Sequence, residues 1–420
     1  MLDIDLIREN PDFVKKEIDK KYFKEKRSPL VDKVLQLDKT KRKLLMAKEK
    51  LQAGVNKLSK TKPDKEIINQ LKKKKERIKD LKKKLDKINK QLFEVISYLP
   101  NLPHPSVPVG KTEKDNKIEK IWGRKPKFNF KPKDHCELGE LLDIIDIKRA
   151  AKMSGSRFGI LKNEGALLEV ALISWVTNLL NKKGFIPIIP PIMVEEKAMF
   201  GTGFFPTDEN EYYKIEKDNL YLAGTAEVPL AAMHMDEVLE DLPKRYWGFS
   251  SCFRREAGSY GKDIRGIFRV HQFDKVEMFI YEKPDKSWSE FENLRKIMES
   301  IFQKLGLHYR VVNICTGELG DANAKKYDLE AWFPAQGRYR ELTSCSHDTD
   351  FQARRLNIKY KTKEGRKGYV HTMNSTACAI GRTILAILEQ NQQKDGSVKI
   401  PQVLQPYMNG IKLIKPKTIK

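Results

Sequence analysis

From Leu30 the apolar residues recur at Leu30, Val34, Leu37, Leu44, Leu51, Val55 and Leu58, and a second series runs Leu71, Ile78, Leu81, Leu85, Ile88, Leu92 and Val95. The second series alternates threes and fours, the spacing that keeps one seam of a helix against a partner helix. In the first, Lys41 and Lys48 stand where the repeat expects further apolar side chains. Between the two runs lies SKTKPDKE, where Pro63 must interrupt the helix because it lacks an amide donor and clashes with the preceding turn. Two seams with one short break predict an antiparallel helical hairpin, each helix of about 30 residues extending roughly 45 Å at 1.5 Å per residue. Ser28-Pro29 offers an N-cap followed by proline at the first helical position.

The hairpin ends in LPNLPHPSVPVG, whose four prolines between Pro100 and Pro108 exclude a helix or a central strand and mark a linker. Residues 1–110 therefore form a helical arm with its linker. Residues 111–420 mix helical and short strand patterns, as expected of an α+β body.

Charge separates the two parts. The chain of 420 residues has 81 basic and 57 acidic side chains, a net charge of +24. Residues 1–100 hold 30 of the basic and 16 of the acidic ones, so the excess is concentrated where the core is thinnest. A long, narrow, lysine-covered hairpin suits a polyanionic partner such as nucleic acid. Cys136, Cys252, Cys315, Cys345 and Cys378 are odd in number and lack CxxC spacing, which argues against a disulfide framework or a zinc site and fits a reducing cytosol. No apolar run approaches a membrane span, and the N-terminus MLDIDLIRENPDF is acidic where a transit peptide would be basic. A cytoplasmic protein with no membrane partner is expected.

The chemistry is densest from Phe253 to Phe279, FRREAGSYGKDIRGIFRVHQFDKVEMF. Its middle, EAGSYGKDIRG, has three glycines and reads as a mobile loop between two strands. If the second strand alternates sides, Arg269, His271, Phe273, Lys275 and Glu277 share one face, opposite Phe268, Val270, Val276 and Met278. On the first strand Arg254 and Glu256 point the same way. Such a hairpin offers a guanidinium to a phosphate and a carboxylate to an amine.

Three further segments stand out, two of them for polar groups in apolar surroundings. In YLAGTAEVPL, alternation along an extended segment puts Thr225 and Glu227 on one face, where a hydroxyl and a carboxylate suit an ammonium and a small polar side chain. In HTMNSTACAIGRTILAILEQNQ, a strand continuing as a helix, Arg382 sits inside an apolar run and needs either a salt bridge or a phosphate. Residues 163–182 form a helix leading into KKGFIPIIPPIMV, a glycine stop followed by an extended segment ending at Pro190-Pro191.

These segments, in this order, resemble the class II aminoacyl-tRNA synthetases, and FRREAGSYG followed by HQFDKVEMF resembles the seryl-tRNA synthetase family in particular. The resemblance covers nearly the whole chain. It implies an N-terminal antiparallel coiled-coil helical arm followed by a catalytic domain built on an antiparallel β-sheet flanked by helices. The helix and extended segment around Pro190-Pro191 are similar to motif 1, which builds the dimer interface in that class, so a homodimer is implied.

The implied activity is that of a serine–tRNA ligase: L-serine and ATP give seryl-adenylate and pyrophosphate, and the seryl group passes to the 3′ end of tRNA(Ser). The selenocysteine tRNA, tRNA(Sec), stays an open further substrate. The arm would read tRNA shape through phosphate contacts. The resemblance assigns Thr225, Ala226, Glu227, Arg254, Glu277 and Thr376 to serine. It assigns Arg254, Arg255, Glu256, Arg269, Val270, Phe273, Glu341, Leu342, Thr343, Ser344 and Arg382 to ATP, with Arg254, Arg269 and Arg382 acting on the phosphates.

Glu341 and Ser344, in RELTSCSHDTDFQARR, match the residues that contact ATP and its Mg²⁺, and no zinc is implied. Thr343 stands where the family more often has serine. In motif 3, Ser375 replaces glycine, Cys378 replaces leucine, and Thr376 stands where the family has the serine that contacts substrate. A carrier-protein ligase on the same body would lack the arm. A catalytically silent relative would lack Arg254, Glu277 or Arg382, and all three are present.

Overall fold

The computed structural model describes residues 1–60, 62, 64–257 and 265–417. The expected break at Pro63 and the centre of the glycine-rich loop, 258–264, lie outside the described residues. The chain divides into two compact units, Met1–Leu102 and Pro103–Lys420.

In the first unit the two seams become the helices Pro29–Leu58 and Lys65–Ser97. Near their open end Arg27 donates to the Tyr98 carbonyl at 3.3 Å, and near the turn Gly54 lies against the Lys74 side chain, so the pair is antiparallel. Val34, Val55, Ile78, Leu85, Leu92 and Val95 of the predicted seams are buried. Ser28 differs from expectation: its backbone is already helical and its side chain makes no capping bond, whereas Asp64 caps the second helix by accepting from Ile67 N at 2.7 Å. Two short helices, Ile4–Glu9 and Pro11–Asp19, close an apolar base with Ile7, Val14, Ile18, Val31, Leu92 and Ile96. Charged side chains are buried beside that base, among them Asp38. Asp38 is 1% exposed and accepts from Arg8 at 2.7 and 2.9 Å, with Arg42 at 3.0 Å.

The proline-rich residues 103–110 belong with the second unit rather than with the arm. His104 N donates to Ala324 O, Thr316 N to Pro108 O and Gly317 N to Gly110 O. Apart from the local turn in which Val107 N donates to His104 O, these backbone groups find their partners in the body.

The body is built on an eight-stranded sheet in the order Lys117–Trp122, Tyr309–Asn313, Lys325–Phe333, Arg338–Thr349, His371–Ala379, Gln272–Glu282, Lys244–Phe253 and Ile186–Ile188. Every pair is antiparallel except the last, where the short Pro187-bearing strand lies on the edge, the place a sheet tolerates proline. Three helices, Glu164–Lys182, Pro284–Lys304 and Ile380–Asn391, cover one face. Their Leu168, Leu172, Phe291, Met298, Ile384 and Leu388 pack with sheet residues Val276, Met278, Leu329 and Cys345 in one core. The other face keeps polar side chains, which is where the site forms.

Two adjacent strands are bulged. Opposite Lys325–Phe333, the register shifts so that Leu329 faces Thr343 while Glu330 faces Glu341, leaving Leu342 extra. Between Gln272–Glu282 and His371–Ala379, Val276 faces Cys378 while Glu277 faces Thr376, leaving Ala377 extra. An inserted residue reverses the alternation beyond it. Glu341 and Ser344, three apart, thereby come to one face.

Removing the Asp38 carboxylate should leave two guanidinium groups without their buried acceptor. We expect Asp38→Ala to cost about 2 kcal/mol, read as lost hydrogen-exchange protection in the first turns of Pro29–Leu58; unchanged protection would contradict this role.

Candidate active site

A cavity of about 460 Å³ opens on the polar face of the sheet. Of the residues singled out in the sequence, Thr225, Glu227, Arg254, Glu256, Arg269, Val270, Phe273, Glu277, Glu341, Leu342, Thr343, Ser344, Thr376 and Arg382 line it. Ala226 and Arg255 do not: Ala226 is buried beneath the turn, and Arg255 is exposed.

Local structure departs from the alternation argument in three places. The strand after the glycine-rich loop begins at Gln272, so Arg269 and His271 precede it. His271 turns away from the cavity, and its Nδ1 donates to Arg254 O at 3.0 Å, bracing that backbone. The first strand ends at Phe253, and Glu256 has φ 52, so Arg254 and Glu256 belong to a turn. Thr225 and Glu227 are not on an extended segment. The strand Leu220–Leu222 stops before Gly224, and Glu227 opens the helix Glu227–Ala232, with the Thr225 hydroxyl accepting from Glu227 N at 3.1 Å.

One end of the cavity is acidic. Glu277 is 1% exposed, and its Oε2 lies 2.6 Å from Lys275 Nζ while accepting from Thr376 Oγ1 at 3.1 Å and Thr225 Oγ1 at 3.4 Å. Lys275 also donates to Thr225 Oγ1 at 2.6 Å. Glu227 Oε1 accepts from Gln352 at 2.9 Å and Asn374 at 3.0 Å. Burial, with the like charge of Glu277 second, pushes the Glu227 carboxyl up to about 7. Asn374 donates onward to Asp348 at 3.1 Å, and Asn323 donates to the other Asp348 oxygen at 2.7 Å.

The other end is cationic. Arg254 is anchored by Nε to Gly224 O at 3.2 Å, with its guanidinium 5.5 Å from the Phe273 ring centre. Arg269 pairs with Glu256 at 2.7 Å. Arg382 pairs with Glu341 at 3.2 Å and lies over the Phe268 ring at 4.9 Å, so the charge within the apolar run has both a carboxylate and a ring face. Burial opposes ionisation of Glu341, but Arg382, Lys326 and Arg254 outweigh it and hold that carboxyl at about 2. Lys326 in turn lies 3.2 Å from Asp328, whose carboxyl burial pushes up to about 7.

Asn374, Asp348 and Gln352 did not enter the site on sequence grounds, whereas Lys275, placed by alternation on the face of Glu277, does line the cavity with it. Asn374 was within reach, since it stands two residues before Thr376 on one strand. Gln352 lies in the first turn of the short helix Phe351–Leu356, and no period in the sequence points it at Glu227.

The arrangement is matched elsewhere. The family model described as seryl-tRNA synthetase N-terminal domain matches residues 1–103, and that described as tRNA synthetase class II core domain (G, H, P, S and T) matches residues 212–391. A serine–tRNA ligase of Thermodesulfovibrio yellowstonii is 45% identical over 99% of this chain and 100% of its own length. The chain belongs to the seryl-tRNA synthetase family. A second serine–tRNA ligase, of Pyrococcus abyssi, is 46% identical over 99% of this chain and 98% of its own. The seryl-tRNA synthetase structure from Pyrococcus horikoshii complexed with ATP superposes with a TM-score of 0.94 at 44% identity, covering 100% of both chains. The cytoplasmic serine–tRNA ligase of Naegleria fowleri in complex with AMP gives 0.90 at 34% identity, with 100% and 99% covered. The fold expected of this family, a helical arm and a sheet-based class II body, is the fold observed.

If Glu277 sets the titration of Glu227, Glu277→Gln should move the Glu227 midpoint below its value of about 7. Carbon-13 NMR of labelled glutamate side chains would follow it; a midpoint that stays put would assign the shift to burial alone.

Proposed function

We propose that the chain activates L-serine with ATP and transfers the seryl group to tRNA(Ser). The observation that carries this is one cavity with an ammonium-binding pole, Glu227 and Glu277, and a phosphate-binding pole, Arg254 and Arg382. Such a site holds an amino acid and a nucleotide in a fixed mutual orientation. The chemistry then needs no protein nucleophile, because the serine carboxylate itself attacks the α-phosphorus of ATP and expels pyrophosphate.

Each side chain has a role in that step. Arg254 neutralises the α-phosphate and aligns the attacking carboxylate. Arg269 and Arg382 hold the outer phosphates, already oriented by Glu256 and Glu341. A guanidinium has five donors, so a carboxylate partner leaves others for phosphate oxygens. Phe273 provides the ring face for adenine, and Glu256 accepts from its amino group. Glu227 and Glu277 take the serine ammonium. Thr376 gives its proton to Glu277, so it positions that carboxylate and keeps its lone pairs for the serine hydroxyl. Alanine would leave such groups unpaired and buried, a penalty that rejects it strongly.

Mg²⁺ fits the phosphate end. Among the described residues no group of three His, Cys, Asp or Glu could hold a metal alone. Glu341, ionised well below neutrality, and Ser344 on the same face are the hard oxygen donors that an ion carried chiefly by substrate phosphates requires. Bound there, Mg²⁺ supplies charge withdrawal from the leaving pyrophosphate.

The lysine-covered helical hairpin is the tRNA-reading part, and the tRNA 3′-terminal hydroxyl accepts the seryl group in the second step. A homodimer is supported by apolar side chains left outside the core along the motif 1 segment, Val170 at 60%, Ile186 at 51% and Ile189 at 74% exposure. Among the described residues no helix is long and apolar enough to cross a membrane, and the cytoplasm is the proposed location.

The test is exchange of labelled pyrophosphate into ATP across the amino acids, with charging of total tRNA. Serine should support exchange and alanine should fall at least about 100-fold below it. Arg254→Ala should lose about 1,000-fold or more with its melting temperature retained. Exchange with a different amino acid would overturn the substrate, and normal exchange by folded Arg254→Ala would overturn its role.

A further inference from the structure

The segment Lys359–Tyr369, KYKTKEGRKGY, folds as a hairpin of strands Lys359–Lys361 and Lys367–Tyr369, with Thr362 N bonded to Arg366 O at 2.8 Å and Gly365 at φ 83 closing the turn. It is pinned at its foot. Tyr360 and Tyr369 pack against the second apolar core, and Lys359–Lys361 pairs in parallel with Val238–Leu239. Lys361, Lys363, Arg366 and Lys367 are all exposed, and among the described residues none has an ion-pair partner. The one acid of the stretch, Glu364, is exposed and pairs with none of them.

The register makes this costly. Lys361 and Lys367 stand directly opposite each other, and like charges at facing positions of an antiparallel pair repel. A single lysine would suffice to keep the outer strand Lys367–Tyr369 from pairing with another chain. Four cations on a pinned hairpin, two of them face to face, are instead relieved by an anion that lies between them.

Which polyanion reaches them follows from the chain itself. The outer strand runs on through Val370 into His371–Ala379, so Lys367 is nine residues from Thr376 in the cavity. Extended chain at about 3.3 Å per residue sets the separation at no more than about 30 Å. A phosphodiester backbone held by the hairpin therefore lies within about 30 Å of the cavity that the RNA's terminal hydroxyl enters, a span that a few nucleotides of the same strand cover.

We propose that the Lys361–Lys367 hairpin is a phosphate-backbone clamp for the acceptor end of the RNA substrate, separate from the helical arm. The inference rests on the seryl-transfer reading above. It adds a sequence-independent, salt-sensitive contact in the catalytic unit, and it steadies the acceptor strand during the second step only.

The test uses the full chain with Lys361, Lys363, Arg366 and Lys367 all changed to Gln, beside the milder pair Lys361→Gln/Lys367→Gln. Serine-dependent pyrophosphate exchange should stay within about two-fold of the parent, while in the four-fold variant KM for tRNA rises about ten-fold and the slope of log(kcat/KM) against log salt becomes shallower by about 3, and by about half that in the pair variant. The pair variant should melt no lower than the parent, because repulsion is removed. Unchanged tRNA KM and salt slope would overturn the clamp, as would a variant whose only change is self-association, which would make the lysines edge protection. Weakened binding to anionic vesicles with an unaltered tRNA KM would assign the patch to a membrane surface and overturn it equally. A parent protein that exchanges no serine would instead remove the functional reading on which the proposal stands.

Discussion

The contact of Lys275 with Glu277 and Thr225, buried at the centre of the sheet, is the interaction on which the rest of the site depends. Lys275 and Glu277 are two apart on one strand, so their side chains share a face and need no loop to bring them together. Burial and the like charge of Glu277 raise the carboxyl of Glu227, which Gln352 and Asn374 hold, to about 7, while Gln352 and Lys275 oppose that rise. Asn374 is fixed by Asp348, and Asp348 by Asn323. Such a network is tolerated inside a protein when each member finds its partner, and a break leaves a buried charge that costs several kcal/mol. The rigidity of the serine end follows from that requirement.

The bulge at Leu342 does for the proposed phosphate end what Lys275 does for the proposed serine end. Regular alternation would put Glu341 and Ser344 on opposite faces. The extra residue Leu342 drops into the main core and brings both to the cavity. Ala377 does the same beside Thr376, where Ala377 and Cys378 both enter the core. Apolar side chains at the bulges thus hold polar neighbours in place. The substitution of cysteine for a larger apolar residue at position 378 falls in this core, with the Cys378 thiol bonded to Thr383, rather than in the cavity.

Much of this was legible in the chain because period and punctuation agree with the structure. The seams through Val34 and Leu85 gave the hairpin, and the prolines from Pro100 to Pro108 gave its end, though their hydrogen bonds tie them to the body. Fourteen of the residues named from sequence converge on one cavity, because motif segments kept their order along the sheet. Alternation failed where the backbone is not in a strand: at Thr225 and Glu227, where the helix Glu227–Ala232 begins, and at Arg269 and His271, which precede the strand Gln272–Glu282. Gln352 and Asp348 were not found because they satisfy other polar groups, and a pairing across 125 residues, as between Gln352 and Glu227, leaves no local pattern.

On the proposed reading, the two poles make the cavity a detector of one molecule with an ammonium at one end and a phosphate at the other. Its cost is that the acidic pole must shed a proton before it can accept a cation. The most direct measurement is calorimetric titration at pH 7 with a non-hydrolysable seryl-adenylate analogue, repeated in buffers of different ionisation enthalpy. Because the Glu227 carboxyl is held at about 7, binding should release about half a proton per site, and the analogue without its α-amino group should bind far more weakly. No proton release, or equal affinity for the two analogues, would contradict the assignment of Glu227 and Glu277 as the amine-binding pole.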